Sequence, residues 1–199
     1  MKARKVKGLD PAGTLADNAE RIVRTRLDEL CGFMPKAADP AEVTALHDMR
    51  IAAKRLRYIL EVTGPVFGEY TDTAVRLAKA LQDLLGEIHD CDEQGPAVAA
   101  VLEELIDDDA RALAERHEGK DDLDPAAVRR APNHAAYSGV AALLVHLRAR
   151  RALLFRNFLE LWADYERKGF RARLEYAITE RSQPGPEAPP PAAIISSEP

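Results

Sequence analysis

The sequence predicts an all-α fold, an antiparallel bundle of long helices, and three observations carry that prediction. Ala, Leu, Glu and Arg, all good helix formers, are abundant, and aromatics make up only 6% of the 199 residues. Apolar residues recur at spacings of three and four over long stretches, as one buried helical face requires. Proline and glycine pairs punctuate those stretches. With 46% apolar content, a chain of this length can bury one sizeable core. The predicted organisation is a basic tail over residues 1–11, a helical domain over 12–181 and a disordered Pro-rich tail over 182–199.

Thr14 is placed to cap a first helix whose apolar positions are Leu15, Ala19, Ile22, Val23, Leu27, Leu30 and Phe33, ending before Pro35. A short link through Pro40 leads to a second helix, about 41 to 63, that stops at Gly64-Pro65. The third, about 71 to 91, presents Leu77, Leu81, Leu84, Leu85 and Ile88 to a core and turns Arg76, Lys79, Asp83 and Glu87 away. Gly95-Pro96 is expected to end it and begin a fourth, about 96 to 118. Residues 101 to 124 hold ten Asp or Glu against three Lys or Arg, a solvated acidic face in a chain of net charge -5. After a loop at 119 to 133, the longest helix is expected from His134 to Arg173, with Leu144, Leu147, Leu154, Phe158, Leu161, Trp162 and Tyr165 on one side.

The second helix carries the strongest functional signal. Between His47 and Tyr58 it holds Arg50, Lys54, Arg55 and Arg57 on about three turns. At about 100° per residue, His47, Arg50, Lys54, Arg57 and Tyr58 share one arc, beside a core arc of Leu46, Met49, Ala53, Leu56 and Leu60. A solvated amphipathic helix, with Arg57 paired to Glu61 at i,i+4, is the plain alternative. Two further cations stand where core residues belong. Arg26 lies inside the stripe of the first helix and Arg151 inside that of the last, with Arg148 at its margin. A buried guanidinium must snorkel, find a carboxylate or face a shared polar groove. The third option gathers Arg26, Arg50, Lys54, Arg57, Arg148 and Arg151 around a common furrow whose repulsion a bound anion relieves; guanidinium groups suit phosphate oxygens bidentately.

The run Leu46-His47-Asp48-Met49-Arg50-Ile51-Ala52-Ala53-Lys54-Arg55-Leu56-Arg57-Tyr58 resembles the signature of the CHAD family, the conserved histidine α-helical domain. His47, Arg50, Lys54, Arg55 and Arg57 fill the family pattern of a His, an Arg three later, then a Lys/Arg pair and a further Arg. Leu81 to Asp90 is similar to the family's second block and Leu147 to Trp162 to its terminal helix, so the resemblance spans about 12 to 175. It implies an all-α domain that binds inorganic polyphosphate through a basic surface, with no catalysis and no cofactor. The expected binding set is His47, Arg50, Lys54, Arg55, Arg57, Tyr58, Arg26, Arg76, Lys79, Arg148 and Arg151. Fuller members carry two such repeats and this chain one, which suggests a homodimer enclosing the furrow. The Glu-x-Glu-x-Lys of the triphosphate-tunnel enzymes that often accompany such domains is absent from the sequence.

Two other classes compete. His47-Asp48 and His89-Asp90 are His-Asp dipeptides of the kind that metal-dependent HD phosphohydrolases use, yet helical neighbours diverge by about 100° and the following arginines repel a metal. A cationic stripe also neutralises a nucleic-acid backbone, but a single tyrosine is no array for stacking bases, so nucleic acid is the weaker fit. His117, His134 and His146 read as surface or packing residues, and Cys31 and Cys91 as reduced thiols. With no apolar run following the basic start and none of roughly 20 residues elsewhere, the expected setting is cytoplasmic, away from membranes and at polyphosphate granules if that ligand is bound.

Overall fold

A computed structural model describes residues 2–180, and the Pro-rich segment expected to be disordered lies outside them. The described chain is helical, with no strand among these residues. Its α-helices are α1 (Leu15–Cys31), α2 (Val43–Thr63), α3 (Tyr70–Arg116), α4 (His134–Arg167) and α5 (Phe170–Ala177). Thr14 caps α1, its hydroxyl accepting from the Asp17 amide at 3.1 Å, as its position before the apolar stripe predicts. The basic segment 2–13 is not helical and runs along α1. The Arg4 amide donates to Glu29 Oε1 at 3.2 Å and the Asp10 amide to Asn18 Oδ1 at 2.8 Å.

Two helix boundaries differ from expectation. Gly95-Pro96 does not divide the acidic segment from the third helix: Pro96 sits inside a single α3 of 47 residues, about 70 Å long. A proline within a helix removes one backbone hydrogen bond and costs about 3 kcal/mol. Here its ring is exposed, and α4 runs alongside through the same level, with Arg151 Nε 2.9 Å from Asp92 Oδ1. The longest helix is therefore α3, and α4 has 34 residues. It ends near Lys168, whose ammonium meets Asp164 at 2.6 Å, and Gly169 at φ +68° redirects the chain into α5. A basic last turn followed by glycine in the left-handed region is a familiar helix stop.

The core gathers Val23, Leu27 and Leu30 of α1, Met49, Leu56 and Leu60 of α2, Leu81, Leu85 and Ile88 of α3, Phe155, Phe158, Trp162 and Tyr165 of α4, and Leu174 of α5. Phe155 was not on the predicted apolar side of α4, while Leu15, expected inside, is exposed. The Tyr165 hydroxyl donates to the Leu77 carbonyl at 2.8 Å, and burial pushes its pKa up to about 12. Beyond Ile88 and before Phe155, α3 and α4 leave this core as a two-helix arm. A small cluster of Leu113, Ala127 and Ala131 closes the tip. Buried Asp109 ties the arm together, accepting from the Asn133 amide and side chain at 3.0 Å and from the Tyr137 hydroxyl.

Candidate anion-binding site

The cationic arc of α2 borders α3, and the furrow is the seam between the two helices. The two helices run antiparallel, and their register is fixed at two points. The rings of His47 and His89 stand 4.5 Å apart between centroids, and a Cβ built on Gly86 would lie 3.4 Å from Arg50 Nε. The same register brings Lys54 level with Gln82 and Arg57 level with Lys79. Small Gly86 lets the Arg50 side chain lie across α3 instead of being pushed out to solvent.

Four polar atoms of this strip are buried without a hydrogen-bond partner: His47 Nδ1, Arg50 Nε, Arg57 Nε and Gln82 Oε1. Buried polar atoms are satisfied in the great majority of cases, so a row of orphans on one seam is a property that calls for a ligand or water. Arg57 keeps a loose contact with Glu61, 3.7 Å from Nε to Oε1, at the i,i+4 spacing the sequence offers. Its guanidinium carbon lies 4.6 Å from the centre of the Tyr58 ring, and Lys54 Nζ 5.6 Å from the same ring. Tyr58 thus holds two cations side by side through its ring face. Among the described residues no carboxylate forms an ion pair with Arg50 or Lys54.

Lys79 falls on the α3 stripe of Gln82, Gly86 and His89, whereas the other remaining predicted residues do not join this strip. Arg26 takes the carboxylate option, its Nη1 2.6 Å from Glu29 Oε2, and Arg55 reaches the other oxygen of Glu29 at 3.2 Å. Glu29 is only 2% exposed and is enclosed between α1 and α2, on the flank of α2 away from the furrow. Arg151 likewise pairs with Asp92 at 2.9 Å, donates to the Pro40 carbonyl at 2.8 Å and stacks over Phe155. Of the three options open to them, Arg26 and Arg151 therefore take the carboxylate partner instead of the shared furrow, each neutralised on burial. Arg148 is exposed at the base of the arm, Arg76 donates to Thr73, and Lys79 pairs with Asp83 at 2.7 Å. Arg76 stands six residues before Gln82, about 120° round α3 from the furrow.

His89, Gln82 and Gly86 are members of the strip that the expected set omits. His89 stood only in a His-Asp dipeptide, and pairing it with His47 required the α2–α3 register. Asp48 and Asp90 do not complete a metal set with the histidines: no group of three or more His, Cys, Asp or Glu among the described residues is placed to hold a metal ion. Nor is any helix there long and apolar enough to cross a membrane.

Fold and strip together define an all-α domain with a cation-lined furrow between two antiparallel helices. The family model of the CHAD domain matches residues 3–99, just under half of the chain, and supports assigning that segment to the CHAD family. CHAD domains are linked to polyphosphate or triphosphate binding. The matched segment takes in α1, α2 and the first part of α3, hence every residue of the furrow; α4, which carries the third block of resemblance, and α5 lie outside it. No curated protein and no solved structure matched the chain.

Proposed function

We propose that the chain binds inorganic polyphosphate along the α2–α3 furrow and acts as a non-catalytic binding domain. The observation that carries this reading is the row of buried nitrogens without hydrogen-bond partners, His47 Nδ1, Arg50 Nε and Arg57 Nε, on the face where Arg50 and Lys54 also lack carboxylates. Phosphate oxygens offer acceptors at close intervals along a flexible chain, which suits donors repeating every turn of a helix. Gln82 fits as well, since a half-turn of its amide presents NH2 in place of the acceptor oxygen. A nucleic acid also brings phosphates, but its bases find no aromatic platform here beyond Tyr58.

The test is a titration with defined-length polyphosphate and with a single-stranded oligonucleotide of equal charge, each at several salt concentrations. Polyphosphate binds more tightly than the oligonucleotide, and the logarithm of affinity falls linearly with the logarithm of salt concentration. In Lys54→Ala the slope is shallower by roughly 0.7, the value for one phosphate contact on a single strand, carried over to polyphosphate. Equal binding of the two polymers, or affinity that does not respond to salt, overturns the reading.

A further inference from the structure

His47 and His89 reach the α2–α3 seam from opposite helices, and their rings meet at 4.5 Å between centroids with an interplanar angle of 52°. The other histidines, His117, His134 and His146, lie further out along the arm. Among the described residues no hydrogen bond or ion pair joins either ring of the pair to a carboxylate, and His47 Nδ1 is buried with no hydrogen-bond partner. A hydrogen bond at one ring nitrogen is what normally settles the protonation of the other. At His47 Nδ1 nothing settles it.

The charged groups around the pair come from four directions. On α2, Arg50 lies one turn after His47 and against Gly86, so a guanidinium borders the rings, while Asp48 adjoins His47 about 100° round the helix. On α3, Asp90 stands beside His89 and exposed Glu93 one turn beyond it. The link before α2 brings Glu42, paired with Lys36 at 3.2 Å, and α4 brings Arg151, paired with Asp92 at 2.9 Å. Arg50, Lys54 and Arg57 make the strip positive, and a polyanion laid along it reverses that field. We propose that the His47–His89 pair couples polyphosphate binding to proton uptake, so that the furrow holds polyphosphate most tightly at acidic pH and releases it as pH rises. This inference rests on polyphosphate binding in the furrow. The proton comes from the buffer and forms one N–H bond on an imidazole nitrogen. Reciprocity sets the sign: phosphate oxygens favour imidazolium, so a proton on the pair tightens polyphosphate by the same factor as polyphosphate tightens the proton. Histidine changes charge between about pH 5 and 8, where arginine and lysine do not. About one proton is taken up, because two imidazolium rings in contact repel each other.

The test is calorimetric titration of the whole chain with long-chain polyphosphate at about pH 6, 7 and 8 and constant ionic strength, in pairs of buffers that differ in ionisation enthalpy. Long chains keep the end phosphates, which themselves titrate near about pH 6, to a small share of the charge. Wild-type affinity is roughly tenfold weaker at pH 8 than at pH 6, a usual size for coupling between two sites, and the paired heats give uptake of about one proton. The double variant His47→Gln, His89→Gln, which keeps polar side chains at both places, binds with an affinity that no longer varies with pH. His146→Gln, at an exposed position on α4, varies as the wild type does. The wild-type heats decide by themselves should the double variant not fold. Wild-type binding that ignores pH and takes up no proton overturns the coupling, leaves polyphosphate binding standing and returns the two rings to a packing role. A pH dependence that survives in the double variant also overturns it. No binding at any pH overturns the proposed function, and the coupling with it.

Discussion

The arginines of α2's furrow and those of α1 and α4 are the same chemical group in two opposite situations. Arg26 and Arg151 end on carboxylates that are themselves nearly buried, Glu29 and Asp92, so each charge is cancelled where it sits. Arg50 lies between helices at similar depth with its Nε unsatisfied, beside an imidazole nitrogen in the same state. The first arrangement closes a structure; the second leaves capacity for an incoming anion. Burial of a cation is therefore no guide to function until its partner is known.

Removing Glu29 tests the closed arrangement most severely. Glu29→Gln strands Arg26 and Arg55 without their counter-charge and lowers stability by about 3 kcal/mol, as breaking one side of a buried ion pair does. Urea unfolding gives that value, while polyphosphate affinity of the folded fraction is unchanged.

Arg50→Ala should behave in the reverse sense. Polyphosphate affinity falls roughly tenfold or more, the scale of one charge-assisted hydrogen bond. The free protein is as stable as before, because the substitution deletes a buried donor that has no partner. Arg151→Ala supplies the contrast, destabilising the free protein by about 2 kcal/mol through the orphaned Asp92. Calorimetric titration and urea midpoints on the same three samples decide. An Arg50→Ala variant as destabilised as Arg151→Ala erases the distinction.

A separate effect concerns pH and leaves both sets of arginines out, since guanidinium groups stay charged across the accessible range. Burial pushes the Cys31 thiol from 9.0 up to about 11 and the Tyr165 hydroxyl from 10.0 up to about 12. The unfolded chain releases these protons first, so stability is at its full value below about pH 9 and falls as pH rises toward 12. Tyr165→Phe flattens the part of that fall above pH 10, read from urea midpoints across the range. A midpoint that holds steady between pH 9 and 12 would contradict the burial of both groups.

What the sequence disclosed divides along the same line. The cationic arc of α2, its neighbouring core arc and its end at Gly64 depend on residues a turn or two apart, so periodicity alone revealed them. The Arg26–Glu29 pair was also within reach, three residues apart on one helix. The partners of Arg55 and Arg151 were not: Glu29 is 26 residues from Arg55, and Asp92 is 59 from Arg151. His89 and Gly86 needed an interhelical register, which no single-helix pattern contains. Gly169 carried a usable stop signal after Lys168, whereas Pro96 carried a misleading one, because α4 supports the helix on both sides of it.

That proline gives the long helix a mechanical character. Its missing backbone bond falls where the arm leaves the bundle, so α3 is a beam whose most compliant section is at its support. Bending by about 10° at that point carries the tip, some twenty residues on, through about 5 Å. The furrow, on the clamped side of the support, hardly feels it.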